Sequence, residues 1–398
     1  MPSASFPRGT VKTQTSQQHI AIAGAGLLGR LLAWRLRLLG HEITLFESGK
    51  LQPESNSVRA AAFTAAGMIA PLSEAVVSDA NVYRMGQFAL QRWPQWLKDL
   101  PQRDLPKNNL RQNISPKSNL PNNNTELFFA KGSLLVAHPQ DESELQQFEN
   151  ELNFVVPECR NYQWLSGHEI QTLEPDLHSH FMRGLLLQEE GHLHNREFLQ
   201  QLGDELIRLN ISIRENTSVE TEPHTIRTHS GSEKFDLVID CRGLGAKTQL
   251  KELRGVRGET LHVETNEIHL QRPVRLMHPR YQLYVVPKPN NRFIIGATQI
   301  ESEDRSAVTL QSSLELGSAL YTLSPAFAEA RIIEMDTNLR PAFMDNLPKI
   351  FCNPGLIVAN GLFRHGYLLA PAVVEQVLTQ VKQDQTILFP DLLQTSLL

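Results

Sequence analysis

The 398-residue chain lacks several features that define whole classes of protein. It has only three cysteines, Cys159, Cys241 and Cys352, and their wide spacing predicts neither a disulfide framework nor a zinc site. No apolar run reaches the length of a membrane span, and the polar first residues lack the apolar segment of a signal peptide. A net charge of -5 supplies no basic field for nucleic acid. We therefore expect a cytoplasmic protein with no membrane span and no nucleic-acid partner.

What the chain does contain is a complete dinucleotide-binding β-α-β pattern from His19 to Gly49. An apolar strand leads into a Gly-x-Gly-x-x-Gly turn, whose glycines allow a tight turn, close approach of a pyrophosphate and close packing of the helix. Glu47 follows the second strand, where an acid hydrogen-bonds a ribose hydroxyl and disfavours the 2′-phosphate of NADP. The predicted cofactor contacts in this unit are Gly24, Gly26, Leu27, Leu28, Gly29 and Glu47.

Two further features favour FAD over NAD. The tract from Ala60 to Pro71 consists mainly of small residues, which let backbone lie against a large flat ligand. Cofactor contacts are predicted there at Ala65, Ala66, Gly67 and Met68. No second Gly-x-Gly-x-x-Gly occurs, so the chain shows no separate site for a nicotinamide reductant. This favours a flavin that is reduced by its own substrate.

The predicted fold class is α/β, with a discontinuous Rossmann-type FAD-binding domain and an antiparallel-sheet substrate domain. The apolar residues 235–240 read as a further parallel strand, and residues 257–298 as antiparallel sheet with a turn at Asn290 and Asn291. Asn195 is predicted to cap a helix, and the final helix is predicted from about Pro371 to Val381.

The length of the chain predicts two domains. We assign the FAD-binding domain to residues 18–80, 190–250 and 335–398, and the substrate domain to residues 81–189 and 251–334. Residues 1–17 read as a flexible extension, and the Asn- and Pro-rich residues 101–125 as a polar surface insertion.

At these motifs the chain resembles the flavin-dependent amino-acid oxidases of the D-amino acid oxidase superfamily, and within it the glycine oxidases of the thiamine pathway. After the glycine turn and its acid come AAGMIAP, LYVVPKP, FIIGAT, NLRPA and FRHGYLLAP, in the order of that family. The resemblance covers most of the chain from about Gln18 to Lys382. It implies FAD-dependent oxidation of glycine or another small amino acid to an imine or 2-oxo acid, ammonia and hydrogen peroxide, feeding thiazole synthesis for thiamine.

The resemblance also implies roles for individual residues. In the family a strand tyrosine and the arginine before a proline bind the substrate carboxylate, and in this chain these positions are Tyr284 and Arg340. Arg364 matches the arginine of the loop beside the flavin. Further cofactor contacts are implied at Val219, Gly243, Gly361, Arg364, His365, Gly366, Tyr367 and Leu368. Structural roles remain open for the three candidate catalytic residues, since arginines also bind backbone carbonyls and a sheet tyrosine can be a core residue.

Some features depart from the family or leave alternatives. The usual Ala-Gly-Ala-Trp after the late cofactor strand is Cys241-Arg242-Gly243-Leu244, and the Asp-Gly-x-Pro after the arginine is Asp345-Asn346-Leu347-Pro348. Oxygen is the expected electron acceptor, but a dehydrogenase using a quinone or protein acceptor is an alternative. So is a flavoprotein that modifies a tRNA base or a protein. Self-association into a homo-oligomer is left open.

Two histidine pairs have spacing that metal sites also use. They are His178 with His180 and His192 with His194. No carboxylate or cysteine accompanies either pair at tight spacing, and flavin chemistry needs no metal. We therefore expect no metal site.

Overall fold

The computed structural model describes residues 17–54, 59–101, 126–279, 281–384 and 386–394. The predicted N-terminal extension and the polar insertion lie outside the described residues, except for Gln17 and Pro101 at their ends.

The described part of the chain forms eight α-helices and 21 strands. The α-helices are α1 (Leu27–Leu38), α2 (Pro71–Val76), α3 (Ala80–Asp99), α4 (Glu142–Val155), α5 (Gly167–Leu173), α6 (Asn195–Arg208), α7 (Leu310–Leu323) and α8 (Gly366–Val381). Short 3₁₀ helices span Ala61–Phe63, Pro139–Asp141, Gly243–Ala246, Pro325–Glu329 and Pro390–Leu392. The strands are β1 (His19–Ala23), β2 (Glu42–Phe46), β3 (Met68–Ile69), β4 (Phe128–Phe129), β5 (Ser133–Ala137), β6 (Tyr162–Ser166), β7 (Arg183–Leu187), β8 (Gly191–Leu193), β9 (Ser212–Arg214), β10 (Glu220–Glu222), β11 (Thr225–Thr228), β12 (Gly231–Lys234), β13 (Leu237–Asp240), β14 (Arg254–Glu264), β15 (Val274–His278), β16 (Tyr281–Lys288), β17 (Arg292–Gly296), β18 (Arg331–Ala342), β19 (Lys349–Asn353), β20 (Leu356–Asn360) and β21 (Leu393–Gln394).

The predicted β-α-β unit contributes the adjacent strands β1 and β2 to a seven-stranded sheet with the order β21-β19-β20-β13-β1-β2-β9. The strands from β20 through β13, β1 and β2 to β9 pair in parallel, while β19 runs antiparallel to β20. β1 is buried almost throughout. This burial explains its continuous apolar run, because a parallel strand is covered on both faces. The parallel strand predicted at residues 235–240 is confirmed as β13 beside β1.

Helices α1, α3, α6 and α8 share the core that covers this sheet. The side chains of Trp34 on α1 and of Trp93 and Trp96 on α3 are almost completely buried there. α3 thus packs with elements of the predicted FAD-binding domain, although its residues follow the predicted boundary at residue 80. The domain boundaries themselves stay a prediction.

The second large sheet has eight strands in the order β18-β14-β17-β16-β15-β5-β7-β6. All neighbours pair antiparallel except β15 and β5, which are parallel. The turn between β16 and β17 is at Asn290 and Asn291, whose φ angles of 62° and 56° suit asparagine. Both this turn and the predicted antiparallel sheet are confirmed, as is the mixed α/β fold class. Two three-stranded sheets, β10-β11-β12 and β3-β8-β4, complete the described sheet structure.

Two helix starts differ from the sequence prediction. The N-cap of α6 is His194, and Asn195 instead donates from Nδ2 to the Ala65 carbonyl at 2.6 Å. α8 begins at Gly366, so Pro371 lies inside it. The missing N–H of this proline leaves the carbonyl of Tyr367 without its helical donor, and Trp93 Nε1 donates to that carbonyl at 2.9 Å. A distant side chain therefore allows the helix to start five residues earlier than predicted.

Candidate active site

A cavity of about 1430 Å³ lies between the carboxyl ends of the parallel strands and the antiparallel sheet. Ligands of open α/β sheets bind at this end of the strands. Its volume exceeds the roughly 300–1,000 Å³ of ordinary small-molecule pockets, so a large cofactor and a substrate can be held together. The predicted site residues that line it are Gly24, Gly26, Leu27, Leu28, Glu47, Ala65, Ala66, Gly67, Met68, Val219, Gly243, Tyr284, Arg340, Arg364, His365, Gly366, Tyr367 and Leu368.

Two predicted cofactor residues, Gly29 and Gly361, are absent from the cavity lining within the described residues. A Cβ on Gly29 would overlap the carbonyl of Gly24, so this glycine serves the close packing of α1 on β1. Gly361 has a φ of 82°, and a Cβ there would overlap the ring of Phe343. Both glycines therefore act through packing beside the cavity.

The turn after β1 has the features of a phosphate cradle. Gly24 has a φ of 93°, and a Cβ there would lie 2.8 Å from the carbonyl oxygen of Cys241. Gly26 is the N-cap of α1 and provides no side-chain cap, and no acidic residue occupies the first turn of the helix. The positive end of α1 therefore points into the cavity without a competing side-chain acceptor.

The Glu47 carboxylate lies beside this turn, at the end of β2. Oε2 accepts from the backbone N–H of Ala25 at 2.6 Å, and Oε1 accepts from that of Gly49 at 3.1 Å. An acid fixed at this position next to the glycine turn matches the ribose-binding acid of dinucleotide folds. With the turn and the helix end, it forms a site that fits the pyrophosphate and ribose of FAD.

The small-residue tract that lines the cavity is fixed from behind by polar side chains. Gly67 has a φ of 71°, and a Cβ there would lie 2.6 Å from the Leu193 carbonyl oxygen. Lys288 Nζ donates to the carbonyls of Ala66 at 2.7 Å and Leu193 at 2.6 Å, and burial lowers the pKa of its ammonium to about 7. Sequence reasoning missed Lys288. Its position four residues after Tyr284 on one strand, and hence on the same face, was the available signal.

Arg340 lies on β18 with its guanidinium above Gly258 of β14, where any Cβ would overlap it. Nη1 and Nη2 both donate to the Thr298 carbonyl at 3.1 Å, and Nη1 also donates to the Arg257 carbonyl at 3.2 Å. Among the described contacts Nε donates to no protein acceptor, so the edge formed by Nε and Nη2 is available to a ligand. Burial lowers the pKa of the guanidinium to about 10. This pKa is still well above neutral pH, so the group stays charged there.

Tyr284 lies across the sheet from the arginine, paired with Gly296 of β17. A Cβ on Gly296 would lie 3.0 Å from the phenol oxygen, so a larger residue there would press against the ring. Burial raises the pKa of the Tyr284 phenol despite the nearby charges of Arg340 and Arg364. The phenol is therefore neutral and can donate a hydrogen bond.

Arg364 belongs to a buried ion cluster centred on Glu74 of α2. Its Nε lies 3.0 Å from Glu74 Oε2, and Nη2 of the buried Arg275 donates to Glu74 Oε1 at 2.8 Å. His365 Nδ1 lies 3.1 Å from Oε2. Although burial alone would raise the pKa of the Glu74 carboxyl, Arg364, His365 and Arg275 hold it well below its usual range. Glu74 is therefore ionised and fixes the position of Arg364.

Sequence reasoning missed Glu74 and Arg275. Glu74 is the first acidic residue after the long small-residue tract, which was a usable signal. Arg275 pairs across the sheet with Tyr284, but nothing local in the sequence connects it to an acid 201 residues away.

Comparison with known proteins shows the family of the chain. The family described as FAD dependent oxidoreductase, DAO, matches residues 19–378 of the chain. The chain belongs to the DAO family of FAD-dependent oxidoreductases. The resemblance to this family and the FAD cofactor, both expected from the sequence, are thereby confirmed.

Individual relatives of this DAO-family member span almost its whole length. A putative thiamine biosynthesis oxidoreductase, ThiO, of Rhizobium etli is 35% identical over 92% of this chain and 97% of its own. The glycine oxidase of Geobacillus kaustophilus is 24% identical, and its crystal structure superimposes with a TM-score of 0.75, covering 94% of this chain and 96% of that one. An iminodiacetate oxidase from Chelativorans has the same fold, with a TM-score of 0.75 at 19% identity and coverage of 94% and 99%.

The histidine pairs lie outside this site. The backbone N–H of His180 donates to Nδ1 of His178 at 3.0 Å, and the rings of His192 and His194 stack or tilt against Phe129. Burial lowers the pKa of His194 to about 3. In the part of the chain that the structure describes, no three histidine, cysteine or acidic side chains are grouped closely enough to hold a metal ion. The described helices include none that is both long and apolar enough to cross a membrane.

Proposed function

We propose that this DAO-family enzyme oxidises glycine or another small amino acid to the imine, which hydrolyses to a 2-oxo acid and ammonia. The observation that carries the proposal is the available donor edge of Arg340 in a cavity that also presents a neutral Tyr284 phenol. A planar guanidinium edge matches the two oxygens of a carboxylate, which every amino-acid substrate has. The R. etli relative named ThiO supports a role in thiazole synthesis for thiamine.

The residues that would hold FAD divide along the cavity. The Gly24 to Gly26 turn and the first amides of α1 would bind the pyrophosphate, and Glu47 the ribose. The tract from Ala65 to Met68 and the amino end of α8 would border the flavin ring. When bound, the flavin accepts the hydride that leaves the substrate carbon. The positive end of α8, at Gly366, would stabilise negative charge that develops nearby.

Arg340 and Tyr284 together would form a clamp for the substrate carboxylate. This clamp would leave the substrate amine and Cα facing the flavin-binding side of the cavity. Arg340 supplies charge and direction, while Tyr284 supplies one neutral donor. Glu74 is a buried acid near this clamp, but two arginines occupy it and hold it ionised. Glu74 therefore acts by positioning Arg364. The substrate amine must be uncharged before the oxidation step, because its lone pair is needed as the hydride leaves. Flavin reduction should then accelerate as the pH approaches the pKa of the amine.

Oxygen is the acceptor that we propose, with hydrogen peroxide as the product. A dehydrogenase that passes electrons to a quinone or a protein would reduce its flavin equally well with amino acid. Oxygen uptake and peroxide release in the presence of glycine distinguish the two. Slow oxygen uptake, together with fast turnover of glycine when an artificial quinone is the acceptor, would favour the dehydrogenase.

The experiment for substrate class is anaerobic stopped-flow reduction with glycine, sarcosine, D-alanine and a bulky L-amino acid over a pH series. We expect glycine and sarcosine to reduce the flavin rapidly and D-alanine less efficiently, because substrate size is the remaining filter once the carboxylate and the amine are recognised. L-amino acids should fail, since their side chain would point at the flavin or the clamp. Reduction by the bulky L-amino acid without reduction by glycine would reject the proposal.

A further inference from the structure

The adenosine end of the cavity contains an arginine in the turn where the sequence departs from its family. Arg242 follows β13 and lines the cavity together with Cys241. Ser48, Gly49 and the loop of residues 217–219 line the same cavity. Since Glu47 marks the ribose, the part of the cavity beyond it is the space that remains for adenine.

All three guanidinium nitrogens of Arg242 contact protein acceptors. Nη1 donates to the Val219 carbonyl at 2.6 Å. Nε lies 3.0 Å from both carboxylate oxygens of Asp240, and Nη2 donates to Asp240 Oδ2 at 2.6 Å. Nη2 also contacts the Thr221 hydroxyl at 3.2 Å and the Gln249 amide oxygen. A lysine could not make this planar set of contacts.

The carboxylate that holds Arg242 is itself fixed in the central sheet. Asp240 is fully buried, pairs with Ala23 at the end of β1, and accepts from the Thr221 hydroxyl at 2.8 Å. The backbone N–H of Arg242 donates to its Oδ1 at 3.0 Å. The side chain of Arg242 therefore connects a rigid point beside the glycine turn to the adjacent loop of residues 217–219.

The loop has a second attachment at its other end, where the backbone N–H of Thr217 donates to the Glu47 carbonyl at 2.8 Å. Residues 217–219 are thus attached to the ribose acid on one side and to Arg242 on the other. Removing the arginine would free the Val219 carbonyl and leave the Asp240 carboxylate buried without its cation. The loop would then have to be ordered again whenever adenosine binds.

We propose that Arg242 is a positioning residue for the adenosine half of FAD. Held in place by Asp240, its guanidinium fixes the Val219 loop in the shape that receives adenine, so it raises the affinity for the cofactor without contributing to substrate oxidation. The proposal depends on the cofactor placement proposed above.

The test is titration of the apoprotein with FAD and competition by ADP, which carries the adenosine and pyrophosphate without the flavin. In Arg242→Ala we expect the Kd of FAD and the Ki of ADP to rise together by about tenfold or more, the effect of losing a charged hydrogen bond. Arg242→Lys should show a smaller rise in both. The rate constant for reduction by glycine is measured at saturating FAD, and a loss there as large as the loss of FAD affinity would overturn the proposal.

The matched control is Arg227→Ala, because Arg227 lies on the neighbouring β11, pairs with Glu222 at 2.8 Å and is half exposed. It should change neither constant. Unaltered FAD affinity in both Arg242 variants would overturn the proposal, and so would a weaker FAD affinity with unchanged ADP affinity. Failure of the wild-type apoprotein to bind FAD would instead refute the proposed cofactor placement. If Arg242→Ala does not fold, the paired FAD and ADP constants of Arg242→Lys decide.

Discussion

Replacing Arg340 by lysine keeps the positive charge but removes the flat donor edge that we assign to the substrate carboxylate. Three of the five guanidinium N–H groups already donate to the carbonyls of Thr298 and Arg257, which leaves Nε–H and one Nη2–H for a ligand. A lysine ammonium has three donors, and the same two carbonyls would compete for them. The substrate carboxylate would then lose at least one charged hydrogen bond.

A charged hydrogen bond contributes about 2 kcal/mol, so the apparent Kd for glycine should rise about thirty-fold. The assay is anaerobic stopped-flow reduction of the bound flavin over a range of glycine concentrations. FAD content should hardly change, since we assign Arg340 to the substrate. Arg254→Lys is the matched control, because Arg254 also donates to a carbonyl, that of Phe343 at 2.7 Å, but lies outside the cavity lining.

An unchanged apparent Kd in Arg340→Lys would assign this arginine to backbone support alone and refute the clamp. Equal losses in Arg340→Lys and Arg254→Lys would also refute it, since the effect would then come from general damage to the sheet.

Three other perturbations probe the surroundings of the site. Gly67→Ala should lower FAD retention more than Gly40→Ala, measured by flavin released on gel filtration, because both have positive φ but only Gly67 faces a backbone carbonyl at 2.6 Å. Glu74→Gln should cost about 3 kcal/mol in urea unfolding, since it leaves Arg275 buried without its ion pair. Burial lowers the pKa of His194 from 6.5 to about 3. At a pH between these two pKa values, this histidine therefore binds a proton in the unfolded chain but not in the folded one. The free energy of unfolding should therefore fall as the pH falls through this range, and less steeply in His194→Phe.

Each of these expectations has a contrary result. Equal FAD retention in the two glycine variants would show that the small-residue tract tolerates displacement. If Glu74→Gln lowers the free energy of unfolding by less than about 0.5 kcal/mol, the ion cluster contributes no more than a surface salt bridge. An unaltered pH slope in His194→Phe would show that this ring is protonated in the native state.

Local periodicity explains which parts of the fold could be predicted. The β1-α1-β2 unit and the turn at Asn290 and Asn291 are encoded within short windows, where apolar alternation and turn residues act on neighbours. The start of α8 could not be predicted in the same way, because the carbonyl left free by Pro371 is satisfied by Trp93, a residue far away in the sequence.

The same distinction applies to the site. The glycine turn and Glu47 are recognisable because a phosphate cradle needs consecutive backbone geometry. Resemblance to a family predicted roles for Tyr284 and Arg340, which lie on β16 and β18, two strands that only the folded sheet brings together with β14 and β17 between them. The ion pair between Glu74 and Arg275 joins α2 to β15, and no sequence window contains both.

The most direct test of substrate oxidation by this flavoprotein is to mix the purified FAD-loaded enzyme with glycine in the absence of oxygen. We predict that the visible absorbance of the flavin bleaches, that the rate saturates with glycine and rises with pH, and that admitting oxygen restores the colour with release of hydrogen peroxide. A flavin that stays oxidised with glycine and with every other small amino acid over the whole pH series would contradict the account.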